Sequence, residues 1–350
     1  MLAAVYSGIG KVECRDVEQP EISDEEVLIS VRAATICGTD LRIFKSGHHR
    51  IAEGEQRVLG HELSGEIWEA GKKVSGYFRG MKVAIAPNVG CGKCRYCRTN
   101  RHHLCDDYDA FGITMNGGFA QYMKVTKKAI DQGDLVPFGD KTTYEEVCLA
   151  EPLACTYYAY RSVMTQPGDD VLIVGAGPMG VLHLQIERLA GAGKVMMADI
   201  SSSRLKLVER YNPDVLIDSS REDIIDAVMT YTDGKGADVI ITACPVGEVQ
   251  KQALSMAAKN GRINLFGGLP KGKEIVGLNT NIIHYNGIVV TGTTRYAQAD
   301  YYRSVKLIEE GKIDTESIIS RRFRIDEIQD AFKYALSGEG LKTLITFPIS

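Results

Sequence analysis

Val171-Leu-Ile-Val174 runs straight into Gly175-Ala-Gly177-Pro-Met-Gly180, and Val181 to Leu189 continues with helical spacing. An unbroken apolar run of this length reads as a strand buried on both faces, as in a parallel sheet. The glycines divide the work of a dinucleotide turn. Gly175 permits a tight bend, Gly177 lets the backbone approach a pyrophosphate, and Gly180 lets helix and strand pack closely, with the phosphates at the helix N-terminus. G-x-G-x-x-G alone is a weak signal; the strand before it and the helix after it supply the context the motif needs. Asp199 follows 19 residues after Gly180, at the end of the next apolar stretch, where a carboxylate can accept hydrogen bonds from ribose hydroxyls. Its charge would repel a 2′-phosphate and so favours NAD over NADP, while Arg204 close behind could partly accommodate one. The competing reading of Asp199 is a solvated strand end or a helix-capping acid.

From about Asp169 onward, apolar stretches at Val171–Val174, Lys194–Asp199, Val239–Thr242 and Arg262–Phe266 alternate with helical segments. That alternation predicts a parallel sheet with crossover helices. Phe266-Gly267-Gly268 ends one such stretch, and its backbone is expected to approach the nicotinamide half of a dinucleotide; a plain turn is the alternative. The first 150 residues differ. Short β-type stretches such as Glu26 to Ala33 and Gly80 to Ala86 are separated by glycine, proline and charged turns, predicting a mainly β domain. Tyr301 to Glu310 and Ile325 to Leu336 have helical spacing, and Thr343 to Phe347 resembles a closing strand.

With 350 residues, 44% of them hydrophobic and 25% charged, the chain can form two domains with separate cores. A net charge of −4 gives no basis for binding nucleic acid or an anionic membrane surface. No apolar run approaches the roughly 18 residues of a membrane span. The start lacks the charged-then-apolar plan of a secretory signal, so a cytoplasmic location is expected.

Cys91, Cys94, Cys97 and Cys105 form a C-x2-C-x2-C-x7-C loop, a spacing suited to a closed tetrahedral zinc site. Gly90 and Gly92 let the segment fold back, and Lys93, Arg95 and Arg98 offset the thiolate charge. The competing reading is a pair of disulfides, which a reducing compartment disfavours. Cys14, Cys148, Cys155 and Cys244 have no partner at metal spacing and read as small buried hydrophobes. A fully thiolate site leaves no position for substrate, so chemistry must lie elsewhere. Cys37-Gly-Thr-Asp40, Gly60-His-Glu62 and Glu151-Pro152 each have an ordinary structural explanation. Together they supply thiolate, imidazole and carboxylate, the donors of a zinc site with an open position.

These segments, with Gly117-Gly-Phe-Ala-Gln-Tyr122, the run from Ala150 to Cys155 and the glycine-rich turn, come in an order that resembles zinc-dependent medium-chain alcohol dehydrogenases over essentially the whole chain. Glu62, Glu151 and the Arg295-Tyr296 pair look most like the sorbitol dehydrogenase branch. The resemblance implies an α/β protein: a GroES-like, mainly β catalytic domain over 1–153 with a structural-zinc lobe at about 88–108, a doubly wound Rossmann domain over 154–293, and a return of 294–350 to the catalytic domain. It also implies a homotetramer or homodimer, two zinc ions per chain, and hydride transfer between NAD and a secondary alcohol of a polyol or sugar-derived substrate. By that similarity Cys37, His61 and Glu62 ligate the catalytic zinc, and Glu151 contacts it directly or through its water. Thr39 would receive the alcohol proton, unless its hydroxyl only satisfies local backbone, and Arg295 and Tyr296 would face substrate hydroxyls. The cofactor set is Gly175, Gly177, Met179, Gly180, Asp199, Arg204, Phe266, Gly267, Gly268, Thr293 and Thr294.

Two positions depart from the pattern. Arg42 stands where the family often has a histidine that ends a proton relay, and arginine cannot accept a proton. Ile43 stands where sorbitol dehydrogenases tend to carry a substrate-facing tyrosine. Arg42, His48, His49 and Arg50 could bind a phosphate or carboxylate on the substrate, or form a solvated loop. A sugar-alcohol phosphate or sugar-acid dehydrogenase and a threonine-type dehydrogenase are therefore the enzyme alternatives. A catalytically inactive NAD-binding protein is the alternative outside enzymes.

Overall fold

In the computed structural model, residues 1–348 are described. The chain forms two compact units, one made of residues 1–154 and 296 onward, the other of Cys155–Arg295.

The second unit is built on a six-stranded sheet whose strands run in the order Val215–Asp218, Lys194–Asp199, Asp170–Val174, Ala237–Thr242, Ala257–Leu265, Val289–Gly292, all parallel. Val171, Leu172 and Ile173 are fully buried because Asp170–Val174 has a neighbour on each side, Val195 and Val239 both lying opposite Val171. The strand order reverses at this central strand, which opens a crevice beyond its C-terminal end, where Gly175 begins. The following helix, Pro178–Leu189, starts with proline in its first turn, where a missing N–H costs nothing. The strands Val215–Asp218 and Val289–Gly292 were not among those read from the sequence. They are edge strands, mostly half-buried or exposed, and so lack the continuous apolar run of the central ones.

In the first unit, a seven-stranded sheet has the order Leu135–Pro137, Lys82–Ile85, Glu62–Ala70, Val27–Thr35, Lys342–Thr346, Ile319–Arg324, and Tyr122–Val125 also pairs with Val27–Thr35. The tail strand Lys342–Thr346 thus lies inside the sheet, antiparallel to Val27–Thr35. One consequence is a convergence at Thr35, which pairs with Glu62 on one side and Leu344 on the other. Ile29, Leu63, Ile67, Ile85, Phe119 and Phe332 pack the core beneath. The pairing of Asn88–Val89 with Asp109–Ala110 closes the base of the cysteine loop. No helix among the described residues is long and apolar enough to cross a membrane.

Candidate metal and cofactor sites

Cys37 follows the end of strand Val27–Thr35 by two residues and caps the helix Gly38–Ser46. Glu62 starts the neighbouring strand, Glu62–Ala70, and His61 immediately precedes it, so the pairing of Thr35 with Glu62 brings all three together. One donor atom from each of Cys37, His61 and Glu62 lies within 4.8 Å of the others. His61 and Glu62 are buried. Asp40, fully buried, organises the group: its Oδ2 accepts from the Cys37 N–H at 2.9 Å, and its Oδ1 accepts from the Gly60 N–H at 3.3 Å. The same Oδ1 lies 3.4 Å from His61 Nδ1, which leaves Nε2 for a metal. Burial alone would lower the His61 pKa, but the negative charge of Asp40 and Cys37 outweighs it and holds the imidazole well above its usual value. A pocket that so favours positive charge, lined by thiolate, imidazole and carboxylate, fits a zinc ion with room for a further ligand.

Glu62 is held from behind. Lys342 Nζ lies 2.5 Å from its carboxylate oxygens, and the Thr35 hydroxyl donates to Oε2. Lys342 is itself buried; desolvation would lower its pKa, yet the Glu62 charge, with Cys37 behind it, keeps it raised. An ionised carboxylate has lone pairs enough to keep these partners and still meet a metal. Glu151, buried in the first turn of helix Ala150–Val163, is not one of the three clustered donors. Burial pushes its carboxyl up to about 7, against the lowering pull of His61, with the Glu62 charge adding to the rise. Asp40, Thr35 and Lys342 were not assigned from the sequence. Asp40 sits inside a quoted motif, but Lys342 lies 280 residues from Glu62 and nothing local signals it.

Thr39 stands on the first turn of the same helix, with Arg42 Nη2 3.5 Å from its Oγ1. Ile43 is fully buried in the core and presents no side chain to a substrate.

In the lobe, one donor atom from each of Cys91, Cys94, Cys97 and Cys105 again falls within 4.8 Å of the rest. The Cys94 sulfur is 3.5 Å from that of Cys97 and 3.8 Å from that of Cys105. A tetrahedron of Zn–S bonds of about 2.3 Å has edges of about 3.8 Å, so these residues fit zinc. All four are free cysteines. Gly90 is needed here, because a Cβ would stand 2.7 Å from the Cys97 sulfur.

The glycine-rich turn has the geometry of a dinucleotide site. Gly175 has φ +124°, and a Cβ on Gly180 would stand 2.0 Å from the Gly175 carbonyl oxygen. Asp199 Oδ2 accepts from the Ala176 N–H at 2.8 Å and Oδ1 from the Ser201 N–H at 2.9 Å, which tie the strand end to the turn. Arg204 reaches over the same turn, its Nη1 3.2 Å from where a Cβ on Gly177 would be. Gly177 caps helix Pro178–Leu189, and Met179 lies in its first turn. Gly267 is as constrained as Gly180, since a Cβ would meet the Cys244 carbonyl oxygen at 2.3 Å, whereas Gly268 has open space. Phe266 packs edge-on against His183, with ring centroids 4.6 Å apart. Thr293 Oγ1 bonds Asn264 Oδ1 at 3.2 Å, and Thr294 is exposed. Arg295, at φ +54°, is the last residue of the second unit. Tyr296 begins the return to the first unit, buried and stacked on Tyr301 at 5.5 Å.

Residues 23–133 match the alcohol dehydrogenase GroES-like domain family, and residues 178–310 match the zinc-binding dehydrogenase family. Over 99% of its length the chain is 30% identical to a sorbitol dehydrogenase of Bacillus subtilis, covering 97% of that protein. It is 31% identical to an L-threonine 3-dehydrogenase of Pyrococcus horikoshii, over 93% of this chain and 92% of the other. Among solved structures, a chain from Sinorhizobium meliloti 1021, described as a zinc-binding dehydrogenase and bound to NADP, superposes with a TM-score of 0.91 at 29% identity, covering 99% of this chain and 98% of that one.

Proposed function

Because the chain belongs to the zinc-dependent medium-chain alcohol dehydrogenase superfamily and is an NAD(P)-dependent enzyme, we propose that it oxidises a secondary alcohol of a polyol or sugar-derived substrate, reversibly, to a ketone. The observation that carries this reading is the convergence of half-buried Cys37 with buried His61 and Glu62, ordered by Asp40 and backed by Lys342. Cys37, His61 and Glu62 hold the catalytic zinc, and Cys91, Cys94, Cys97 and Cys105 hold a structural one. When bound at the first site, zinc supplies a Lewis acid that lowers the pKa of the substrate hydroxyl.

The protein's own groups do the rest. The Thr39 Oγ1 would accept the alcohol proton, and a dinucleotide held at the glycine-rich turn would supply the hydride acceptor. Arg42, beside that hydroxyl, can donate to it but cannot take its proton, so half-buried Thr39 passes the proton on to solvent water. Glu151, outside the three clustered donors, acts through a water rather than as a fourth ligand. Arg295 and Tyr296 orient substrate hydroxyls. Asp199 takes the adenosine ribose, which favours NAD, with Arg204 over the pyrophosphate turn. The threonine dehydrogenases among the relatives support a second reading, with an amino alcohol as substrate. Retention of the whole open-site donor set argues against an inactive NAD-binding protein.

A homo-oligomer and a cytoplasmic location complete the proposal. The edge strand Val289–Gly292 with exposed Val289 and Tyr285 favours the first, and the need for reduced thiolates favours the second. The test measures zinc per chain by elemental mass spectrometry in wild type and Cys37→Ala, alongside NAD reduction across polyols, their phosphates and threonine. Two zincs falling to one with loss of turnover supports the reading; one zinc in both proteins, without turnover, sinks it.

A further inference from the structure

We infer that Asn264 is a positioning residue for the cofactor: through a chain of hydrogen bonds of fixed direction it makes the Thr293 hydroxyl an acceptor for the carboxamide N–H2 of a bound nicotinamide. The inference rests on the dinucleotide site and is independent of which alcohol is oxidised.

Asn264 is fully buried in strand Ala257–Leu265, between Ile263 and Leu265, where asparagine is a rare choice. Its Nδ2 donates to Ser162 Oγ at 2.8 Å and to Thr291 Oγ1 at 3.2 Å, and its Oδ1 accepts from Thr293 Oγ1 at 3.2 Å. The neighbours decide which way the amide points, because each hydroxyl has a single hydrogen. Ser162 donates its own to the Ala159 carbonyl at 2.7 Å, and Thr291 to the Ile263 carbonyl at 3.1 Å. Both bonds are shorter than the 3.3 Å between the two hydroxyl oxygens. Toward Asn264, then, Ser162 and Thr291 can only accept, so they face Nδ2 and Oδ1 is turned to Thr293. Thr293 must donate to that oxygen. Its own oxygen keeps only lone pairs for any further partner.

The sheet places Thr293 where a nicotinamide would lie. It is the first residue beyond strand Val289–Gly292, and ligands of open parallel sheets bind beyond the carboxyl ends of the strands, half of a dinucleotide on each side of the switch point. With the adenosine at Asp199, on one side of Asp170–Val174, the nicotinamide falls to the other side, beyond Ala237–Thr242, Ala257–Leu265 and Val289–Gly292. Leu265 pairs with Gly292, so Phe266 and Thr293 leave the sheet side by side. The neighbouring turn is held firmly: the Gly267 N–H donates to the Thr242 carbonyl at 2.8 Å, and the Gly267 carbonyl accepts from Gln250 Nε2 at 3.0 Å. Thr293 is half-buried, which leaves it open to a ligand. Ribose hydroxyls can turn to donate or accept, whereas a carboxamide nitrogen only donates. An acceptor of fixed direction therefore recognises the carboxamide.

Calorimetric titration of the full-length zinc-loaded protein, without alcohol, compares NADH, its thionicotinamide and 3-acetylpyridine analogues, and ADP-ribose. The thioamide keeps the N–H2, the acetyl group puts a methyl in its place, and ADP-ribose lacks the ring. The wild type should bind NADH and the thioamide about tenfold more tightly than the acetyl analogue, the scale of a hydrogen bond lost with its partner left unpaired. That ratio should fall to about one in Thr293→Val and be kept in Thr293→Ser. It should also fall in Asn264→Leu and in the milder Asn264→Ser, which free the Thr293 hydroxyl to donate to the acetyl oxygen. Unchanged ADP-ribose affinity shows that each variant retains the fold. An unchanged ratio in Thr293→Val overturns the inference, as does equal weakening of all four ligands there, which would put the contact on the ribose. A ratio lost in Thr293→Val but kept in both Asn264 variants overturns the role of Asn264. If neither NADH nor ADP-ribose binds the wild type, the cofactor site fails with the inference; normal NADH binding with an unchanged ratio removes the inference alone.

Discussion

Lys342 and Glu62, 280 residues apart in sequence, form a buried ion pair in which one ammonium lies 2.5 Å from the carboxylate oxygens. Desolvation makes such pairs weak sources of net stability, but leaving one partner alone is costly. Lys342→Met should therefore lower stability by about 3–5 kcal/mol, read as a shift of the urea midpoint. The double variant Glu62→Gln, Lys342→Met should recover much of the loss while binding zinc poorly at the Cys37 site. A single variant as stable as wild type would mean that Glu62 does not depend on this counter-ion.

Asp40 holds Cys37 and Gly60 by their backbones and stands beside His61. Outer partners of metal-binding histidines typically change metal affinity by about 10–100-fold. Asp40→Asn should weaken zinc at the Cys37 site on that scale while the four-cysteine site keeps its ion. Chelator competition, with zinc counted per chain, separates the two.

The parts legible in the sequence were those in which a short segment carries its own geometry. The four cysteines lie within one loop, and Gly175 to Gly180 make both the turn and the helix start. Cys37 and His61 could be named from their motifs, yet their meeting needs the pairing of Val27–Thr35 with Glu62–Ala70. Lys342 was illegible because its place depends on a tail strand entering the middle of a sheet. Ile43 read as a departure at a substrate wall, but the helix turns it into the core, a direction that spacing from Cys37 did not reveal.

Gly180 leaves no room for a side chain, since a Cβ would lie 2.0 Å from the Gly175 carbonyl oxygen. The clash is with backbone, which cannot swing aside. Gly180→Ala should abolish measurable NADH binding by fluorescence titration and lower the melting temperature, with zinc content unchanged at two per chain. Normal NADH affinity in this variant would show that the turn does not carry the pyrophosphate.

Glu187, in the helix after that turn, has both carboxylate oxygens buried without a well-formed hydrogen bond. Burial raises its pKa from 4.5 to about 7 in the fold, despite a lowering influence from Thr165. The sign follows from proton binding: the folded state holds this proton more tightly, so its contribution is fully present below about pH 4.5 and is lost as pH rises to about 7. The change is at most about 3 kcal/mol. Glu187→Gln should flatten the stability profile over that window and be the more stable protein at pH 8. Thermal melts at pH 5 and pH 8 check it; parallel profiles for the two proteins would exclude Glu187 as the source.

The strand Lys342–Thr346 sits between Val27–Thr35 and Ile319–Arg324, inside the sheet rather than at its border. During synthesis, then, the strand beside Cys37 waits with an open edge while the whole intervening unit is made. Residues of that unit can fold as they emerge, but Glu62 acquires its counter-ion only when residue 342 has left the ribosome. A nascent chain cut short before that strand holds Cys37, His61 and Glu62 but leaves the Glu62 carboxylate without its counter-ion.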